Sequence, residues 1–289
     1  MTYFDFSASA IAALAQADVA HALREDVGTG DLTAALIDPR RRVRARILAR
    51  EGAVICGEPW ANAAVSALDP SAAMIWHVRE GQRCHVDQVV VEFEGNAQAL
   101  LTAERTALNF LQLLSAVATK TAAYVAAVQS VPGNRAHIVD TRKTLPGLRL
   151  AQKYAVTAGG GTNHRIGLFD AVLIKENHIA AAGGVTAALQ RAHAAAAHAK
   201  FVEIEVETLA QLQEALNAGA KMVLLDNMPL PMLREAVAMN ASRAILEVSG
   251  GVSMDTVRDI AATGVDRISI GALTKDVKAT DFSMRCEDL

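Results

Sequence analysis

The sequence predicts an α/β protein in which a β-rich first part is followed by a parallel α/β barrel. Residues 31–100 carry short alternating apolar runs punctuated by Gly and Pro, the pattern of antiparallel strands and turns. Beyond residue 135, short apolar runs ending in polar groups alternate with helical stretches closed by Gly. The last four runs recur about every 22 residues, the rhythm of parallel strand–helix units. The 289 residues, 52% apolar and 20% charged, suffice for two domains or one large barrel with a sizeable core.

The opening segment, "MTYFDFSASAIAALAQADVAHALRED", has no basic n-region and carries Asp5, so a helix is expected there rather than a signal peptide. Ser7 or Ser9 caps it, with Ile11, Leu14 and Leu23 on one side. No apolar run approaches the roughly 18 residues of a membrane span, so a soluble protein with no membrane partner is expected. Cys56, Cys84 and Cys286 are odd in number and form no C-x-x-C pair, which points to a cytoplasmic protein without a disulfide framework or a zinc site. A net charge of −3 leaves no global field for nucleic acid, so any anion site must be a local cluster of cations.

The runs "RARILAREGAVICGEP", "AAMIWHVREGQRC" and "QVVVEFEGNAQAL" read as antiparallel strands, with "REGQRC" as a hairpin connection. The basic run "PRRRVRAR" lacks interleaved aromatics and sets Arg42, Arg44 and Arg46 on one strand face, so it reads as a solvated face rather than a nucleic-acid patch. A long helix is expected from Thr102, its N-cap, with Leu108, Leu111, Leu114 and Val117 or Ala118 on its apolar side. That places Arg105 in the first turn, where the helix dipole disfavours a cation. "AHIVDTRK", "AVLIKENH", "FVEIEVET", "MVLLDN", "AILEVSGG" and "RISIGAL" are the barrel strands. "ALQRAHAAAAHAK" is a helix by propensity, whose His193 and His198 are poorly spaced for a shared metal. Phe282 and Met284 alternate like a terminal strand returning to the first part.

Functional residues of parallel α/β barrels gather at the C-terminal ends of the strands. Those ends supply Thr141, Arg142, Lys143, Lys175, Glu205, Asp226, Ser249, Gly250, Gly251 and Gly271, and "NHR" adds His164 and Arg165. Five cations, Arg142, Lys143, His164, Arg165 and Lys175, converge with few carboxylates nearby. Buried positive charge needs an anion, so a multiply anionic substrate is expected. "EIEVE" sets Glu203, Glu205 and Glu207 on one strand face, where one of them pairs with Lys175 or Arg165, or joins Asp226 in binding sugar hydroxyls or Mg²⁺ through water. "VSGG" and "IGA" on neighbouring strands offer backbone N–H groups for a phosphate.

"EDVGTGDLT", "ERTALNFLQLLSAVAT", "DTRKTLPGLR", "KYAVTAGGGTNHRIGLFDAVLIKENHI", "EIEVE", "LLDNM", "LEVSGGV" and "ISIGALT" together resemble the quinolinate phosphoribosyltransferase family. The resemblance implies an N-terminal α/β sandwich over residues 1–118, to which 276–289 returns, and an incomplete, seven-stranded α/β barrel over 119–275. It implies decarboxylating transfer of phosphoribosyl to quinolinate, the route to NAD, with Mg²⁺, in a homodimer or a larger assembly. Quinolinate's carboxylates go to Arg142, Lys143, His164, Arg165 and Lys175, with Arg105 given to the partner subunit's site. Thr141 also lines that site. Glu205 and Asp226 match positions serving ribose hydroxyls and Mg²⁺, and Ser249–Gly251 with Ser269, Ile270 and Gly271 match the 5-phosphate loops. Lys143 or Lys175 guides protonation after decarboxylation. The competing readings are a relative of the same fold acting on another substrate, a Schiff-base aldolase using Lys175, and a phosphosugar sensor without chemistry.

Overall fold

The computed structural model of the protein describes residues 4–196 and 198–289. Its elements begin with helix α1 (Ala8–Val27), strands β1 (Arg42–Ala49) and β2 (Ala53–Val54), helix α2 (Glu58–Leu68), strands β3 (Ala73–Trp76), β4 (Arg83–Cys84) and β5 (Val89–Asn96), and helix α3 (Ala97–Gln129). Next come β6 (His137–Val139), α4 (Arg149–Ala158), β7 (Val172–Ile174), α5 (Glu176–Ala182), α6 (Val185–Ala195), β8 (Val202–Val206) and α7 (Leu209–Asn217). The chain ends with β9 (Met222–Asp226), α8 (Leu230–Asn240), β10 (Ile245–Ser249), α9 (Val257–Ala261), β11 (Arg267–Ser269), α10 (Ala272–Lys275) and β12 (Phe282–Asp288).

Contacts divide the chain into two compact units, one of Met1–Lys120, Leu145–Gly160 and Asp276–Leu289, the other of Thr121–Thr144 and Gly161–Lys275. Residues 145–160, within the barrel span of the sequence reading, thus belong to the first unit. Ser7 caps α1, its Oγ accepting from Ala10 N at 3.3 Å, and Ile11, Ala15 and Val19 recur at helical spacing as the buried stripe. Residues 1–3 of the quoted opening segment lie outside the described residues.

The first unit's main sheet has the order β12-β1-β5-β3. Strict alternation on β1 buries Val43, Ala45, Ile47 and Ala49 and turns Arg44 and Arg46 to the other face. There Arg44 stands opposite Glu94 and Arg46 opposite Glu92, and Arg44 Nε donates to Glu94 Oε1 at 2.7 Å. Arg46 also pairs with Glu287 on β12. Arg44 and Arg46 are therefore neutralised by cross-strand acids, while Arg42 stands opposite Asn96.

Three expectations need correction here. "REGQRC" makes a turn, but β3 pairs with β5 whereas β4 pairs with β2, so the turn passes the chain between sheets. The reason is Glu80 in that turn: its carboxylate accepts from Gly57 N and Glu58 N at the start of α2, fixing the loop to a helix end. Second, α3 starts at Ala97 because Asn96 Oδ1 accepts from Ala99 N, leaving Thr102 inside the helix with its hydroxyl bonded to Asp31. Arg105 is therefore mid-helix and exposed, and the dipole argument about it lapses. Third, α3 is long and apolar enough to cross a membrane by length and composition, although 56% of its apolar window is buried inside the protein. Leu100, Leu108, Leu111, Leu114 and Val117 are core residues on it, so it serves as a core helix.

In the second unit the parallel strands run β6-β11-β10-β9-β8-β7, six in all among the described residues. At the position of a seventh there is a single parallel bridge, Val139 with Thr162. Residues 163–171 do not extend it because side chains take their backbone groups: Asp140 Oδ1 accepts from His164 N at 2.8 Å, and Asp170 accepts from Ile166 N and Gly167 N. Helices α6 to α9 alternate with these strands, and Gly219 and Gly264, both at positive φ, follow α7 and α9. Helix α6 ends at Ala195, short of the expected run; residue 197 of that run lies outside the described residues.

Candidate active site

The rim begins where β6 runs out. Thr141 Oγ1 accepts from Lys143 N at 3.0 Å, and Thr274 Oγ1 donates to Lys143 O at 2.7 Å, so the Lys143 backbone is held from both sides. Its side chain crosses Gly271 so closely that a Cβ there would stand 2.9 Å from Lys143 Cδ. Gly271 is small because a lysine lies over it.

The loop after Thr162 is anchored by two buried acids. Asp140 accepts from His164 N and from Asn163 Nδ2 (2.7 Å), and Asp170 holds Ile166 and Gly167. Burial, the largest single influence on Asp170, pushes its pKa up, but the N–H donors of Ile166 and Gly167 together with Lys200 leave it below its ordinary value. The anchored loop carries Arg165, 8% exposed, whose pKa is lowered first by burial and then by neighbouring Arg142. Arg142 is thus near enough to act on Arg165, and the acids Asp170 and Glu203 oppose its effect.

His164 behaves differently from the other expected cations. Its Nε2 lies 2.8 Å from Glu203 Oε2 and 3.6 Å from Glu247 Oε1. Glu203 and Glu247 are fully buried, and burial raises the pKa of each to about 7. Arg267 Nε approaches Glu247 Oε2 at 2.8 Å, without the alignment of a hydrogen bond. His164, Glu203 and Glu247 offer donor atoms within 4.8 Å of one another, as a metal site does, but Arg267 already supplies the cation.

Glu203 and Glu205 share a strand face at different depths, whereas Glu207 lies beyond the end of β8 and is exposed. Glu205 Oε2 accepts from Lys175 Nζ at 3.0 Å; the lysine is 46% exposed and the glutamate 12%. Lys175 is also the N-cap residue of α5, where its backbone N–H donates to His178 Nδ1 at 2.9 Å and its carbonyl accepts from His178 N at 2.8 Å. Asp226 stands opposite Ser249 in the β9–β10 register, one of its oxygens bonded to Asn227 Nδ2 at 2.9 Å. Carboxylates on adjacent strands with oxygens still to spare fit a hard cation such as Mg²⁺, held through water.

At the late strand ends, Gly250 and Gly251 have φ of +94° and +61°. A Cβ on Gly250 would meet Asn227 Oδ1 at 2.0 Å. The N–H groups of Gly250, Gly251 and Gly271 make no hydrogen bond among the described residues, as a phosphate loop requires. Ser269 and Ile270 precede Gly271 at the end of β11. Ser269 is 4% exposed with Oγ bonded to Val248 O, and Ile270 N donates to Val139 O, so both are used inside the sheet.

Thr141, Arg142, Lys143, His164, Arg165, Lys175, Glu205, Asp226 and Ser249–Gly251 all belong to the second unit, whereas Arg105 sits exposed on α3, in the first unit's part of the chain. The sequence reading missed Asp140, Asp170, Glu247 and Arg267. A charged residue in an apolar strand, as in "AILEVS" and "DRISI", was the available signal for the last two.

Fold and rim together define a two-part α/β-barrel protein of a class already seen in crystals. The nicotinate-nucleotide pyrophosphorylase of Francisella tularensis superposes with a TM-score of 0.91 at 42% identity, covering 96% of this chain and 97% of that one. The family model described as the quinolinate phosphoribosyl transferase N-terminal domain matches residues 31–115, and that of the C-terminal domain matches 117–285. The chain belongs to the quinolinate phosphoribosyltransferase family. Among curated relatives, a Bacillus subtilis protein named "Probable nicotinate-nucleotide pyrophosphorylase" (carboxylating) is 41% identical over 91% of this chain and 90% of its own. A mitochondrial quinolinate phosphoribosyltransferase (decarboxylating) of Nicotiana tabacum is 41% identical over 92% of this chain and 80% of its own.

Proposed function

We propose that this chain transfers phosphoribosyl from phosphoribosyl pyrophosphate to quinolinate with loss of CO₂, yielding nicotinate mononucleotide and pyrophosphate for NAD synthesis. The observation that carries the reading, beside the family match, is the nearness of Arg142 to Arg165 at a rim that also holds Lys143 and Lys175. Guanidinium forks suit carboxylates, so a cationic cluster of this composition fits a dianion. Quinolinate's carboxylates bind to Arg142, Arg165, Lys143 and Lys175, completed by Arg105 of the partner subunit in a homodimer. The 5-phosphate binds the N–H groups of Gly250, Gly251 and Gly271.

The quinolinate nitrogen attacks C1 of the sugar as pyrophosphate leaves. Glu205 and Asp226 face the positive charge that develops on the sugar and stabilise it. Glu205 and Asp226 would hold Mg²⁺ through water, and the ion would supply charge neutralisation for the departing pyrophosphate. The quaternised ring then accepts the electron pair left by the departing C2 carboxylate as CO₂. Lys143 or Lys175 guides a proton to that carbon. An aldolase role for Lys175 is disfavoured because its ammonium pairs with Glu205 instead of sitting in the desolvated pocket an imine-forming lysine needs. We place the enzyme in the cytoplasm.

The test is an assay with quinolinate, phosphoribosyl pyrophosphate and Mg²⁺. Nicotinate mononucleotide and CO₂ are expected in equal amounts, and binding of both substrates without product would leave only a sensor.

A further inference from the structure

We infer that His164 is a positioning residue rather than a ligand of the substrate: Glu203, Glu247 and Arg267 lock its imidazole, and the locked ring fixes the backbone from which Arg165 reaches the rim. The inference rests on the reading that Arg142 and Arg165 hold quinolinate.

An imidazole has two polar atoms. His164 Nδ1 accepts the backbone N–H of Arg165 at 2.7 Å. A backbone N–H only donates, so Nδ1 carries no proton and the hydrogen is on Nε2. Nε2 then donates to Glu203 Oε2 at 2.8 Å. The ring is also held edge-on against Phe201, with centroids 5.3 Å apart and planes at 84°. A neutral ring with both nitrogens engaged has no charge and no donor for a carboxylate.

The support beneath the ring is built from separate strands. Glu203 comes from β8, Glu247 from β10 and Arg267 from β11, and the two acids are fully buried. Burial of this kind persists where the charges compensate one another, as Arg267 and Arg165 do here. The consequence is mechanical. Arg165 N is bonded to the ring and its guanidinium leaves the same residue, so a tilt of the imidazole moves Arg165.

The first test is ¹⁵N NMR of the enzyme with labelled histidine, the His164 signals being assigned by their loss in His164→Gln. The neutral Nε2–H form is expected, unchanged when quinolinate saturates the enzyme; a doubly protonated ring on quinolinate binding overturns the inference. The second test is kinetic. His164→Ala should raise KM for quinolinate about tenfold and leave KM for phosphoribosyl pyrophosphate unchanged, whereas His164→Gln, which keeps an N–H donor toward Glu203, should recover most of the loss. Glu247→Gln should reproduce the KM pattern of His164→Ala in milder form. A Gln variant as impaired as Ala counts against the inference. Arg165→Ala separates the two readings. Loss of quinolinate binding there together with a protonated His164 sinks the inference alone, and unchanged binding there removes the parent reading and the inference with it.

Discussion

At position 250 a side chain has nowhere to go. The φ of +94° is one that L side chains rarely adopt, and a Cβ would overlap Asn227, which is itself at φ +54° and bonded through its N–H to Ser249 O. At Gly251 the φ is +61° but nothing lies within 4 Å of a Cβ. Gly250→Ala should therefore cost roughly 2–3 kcal/mol of stability and much of the phosphoribosyl pyrophosphate affinity, against roughly 1 kcal/mol for Gly251→Ala. Urea titration of both variants checks the order; equal losses would mean that the steric contact is relieved cheaply. The rim cations were legible one by one, because apolar runs ending in TRK and K announce strand ends and NHR stands in the loop before the second of these runs. What each cation touches was not legible. His164, Glu203, Glu247 and Arg267 are scattered along the sequence, and only the β8–β9–β10–β11 order brings them together.

Among the elements, α2 shows how a distant side chain decides a helix end. Its N-cap is Gly57, which has no side chain, and Glu80 supplies the missing acceptor to Gly57 N and Glu58 N at 3.0 Å each. The carboxylate also complements the helix dipole. Burial, acting against these N–H donors, raises the Glu80 pKa. Glu80→Ala should cost about 2 kcal/mol, and Glu80→Gln less because an amide oxygen still accepts. Trp60, buried on α2 with its indole bonded to Asp18, reports the transition by fluorescence. No difference between the two variants would rule out the capping role. The same interaction explains why the "REGQRC" hairpin was misread: turn chemistry was visible, but the helix that the turn serves was not. The six parallel strands were legible because each is an apolar run bounded by polar residues. A seventh strand does not form among the described residues, because backbone donors after Thr162 go to Asp140 and Asp170. The cap of helix α3 was placed six residues late, because Asn96 as a cap is hidden in a run that reads as strand.

For the molecule as a whole, buried acids set the response to pH. The folded pKa of Glu247 is raised from 4.5 to about 7, chiefly by burial and then by Glu203, and that of Glu80 is raised in the same direction. A carboxyl with a raised folded pKa stabilises fully below its unfolded value, and that contribution is lost as pH climbs through the folded one. Stability should therefore decline between about pH 5 and pH 8, by roughly 3 kcal/mol at most from Glu247, and Glu247→Gln should flatten the slope. Asp69 and Asp170, held below their ordinary 3.8, have the opposite sign and lose their contribution only at lower pH. A second prediction concerns assembly. Arg105 is exposed and mid-helix, where it acts locally on Glu104 beside it. If it completes the site of a partner, Arg105→Ala and Lys143→Ala should each be inactive yet folded. Random pairing makes half of the dimers mixed, and each mixed dimer holds one intact site of its two. Co-expressed variants should then regain about a quarter of the wild-type activity. Mixed dimers isolated with two different tags must carry that activity, because any site built within a single chain leaves them as inactive as either parent.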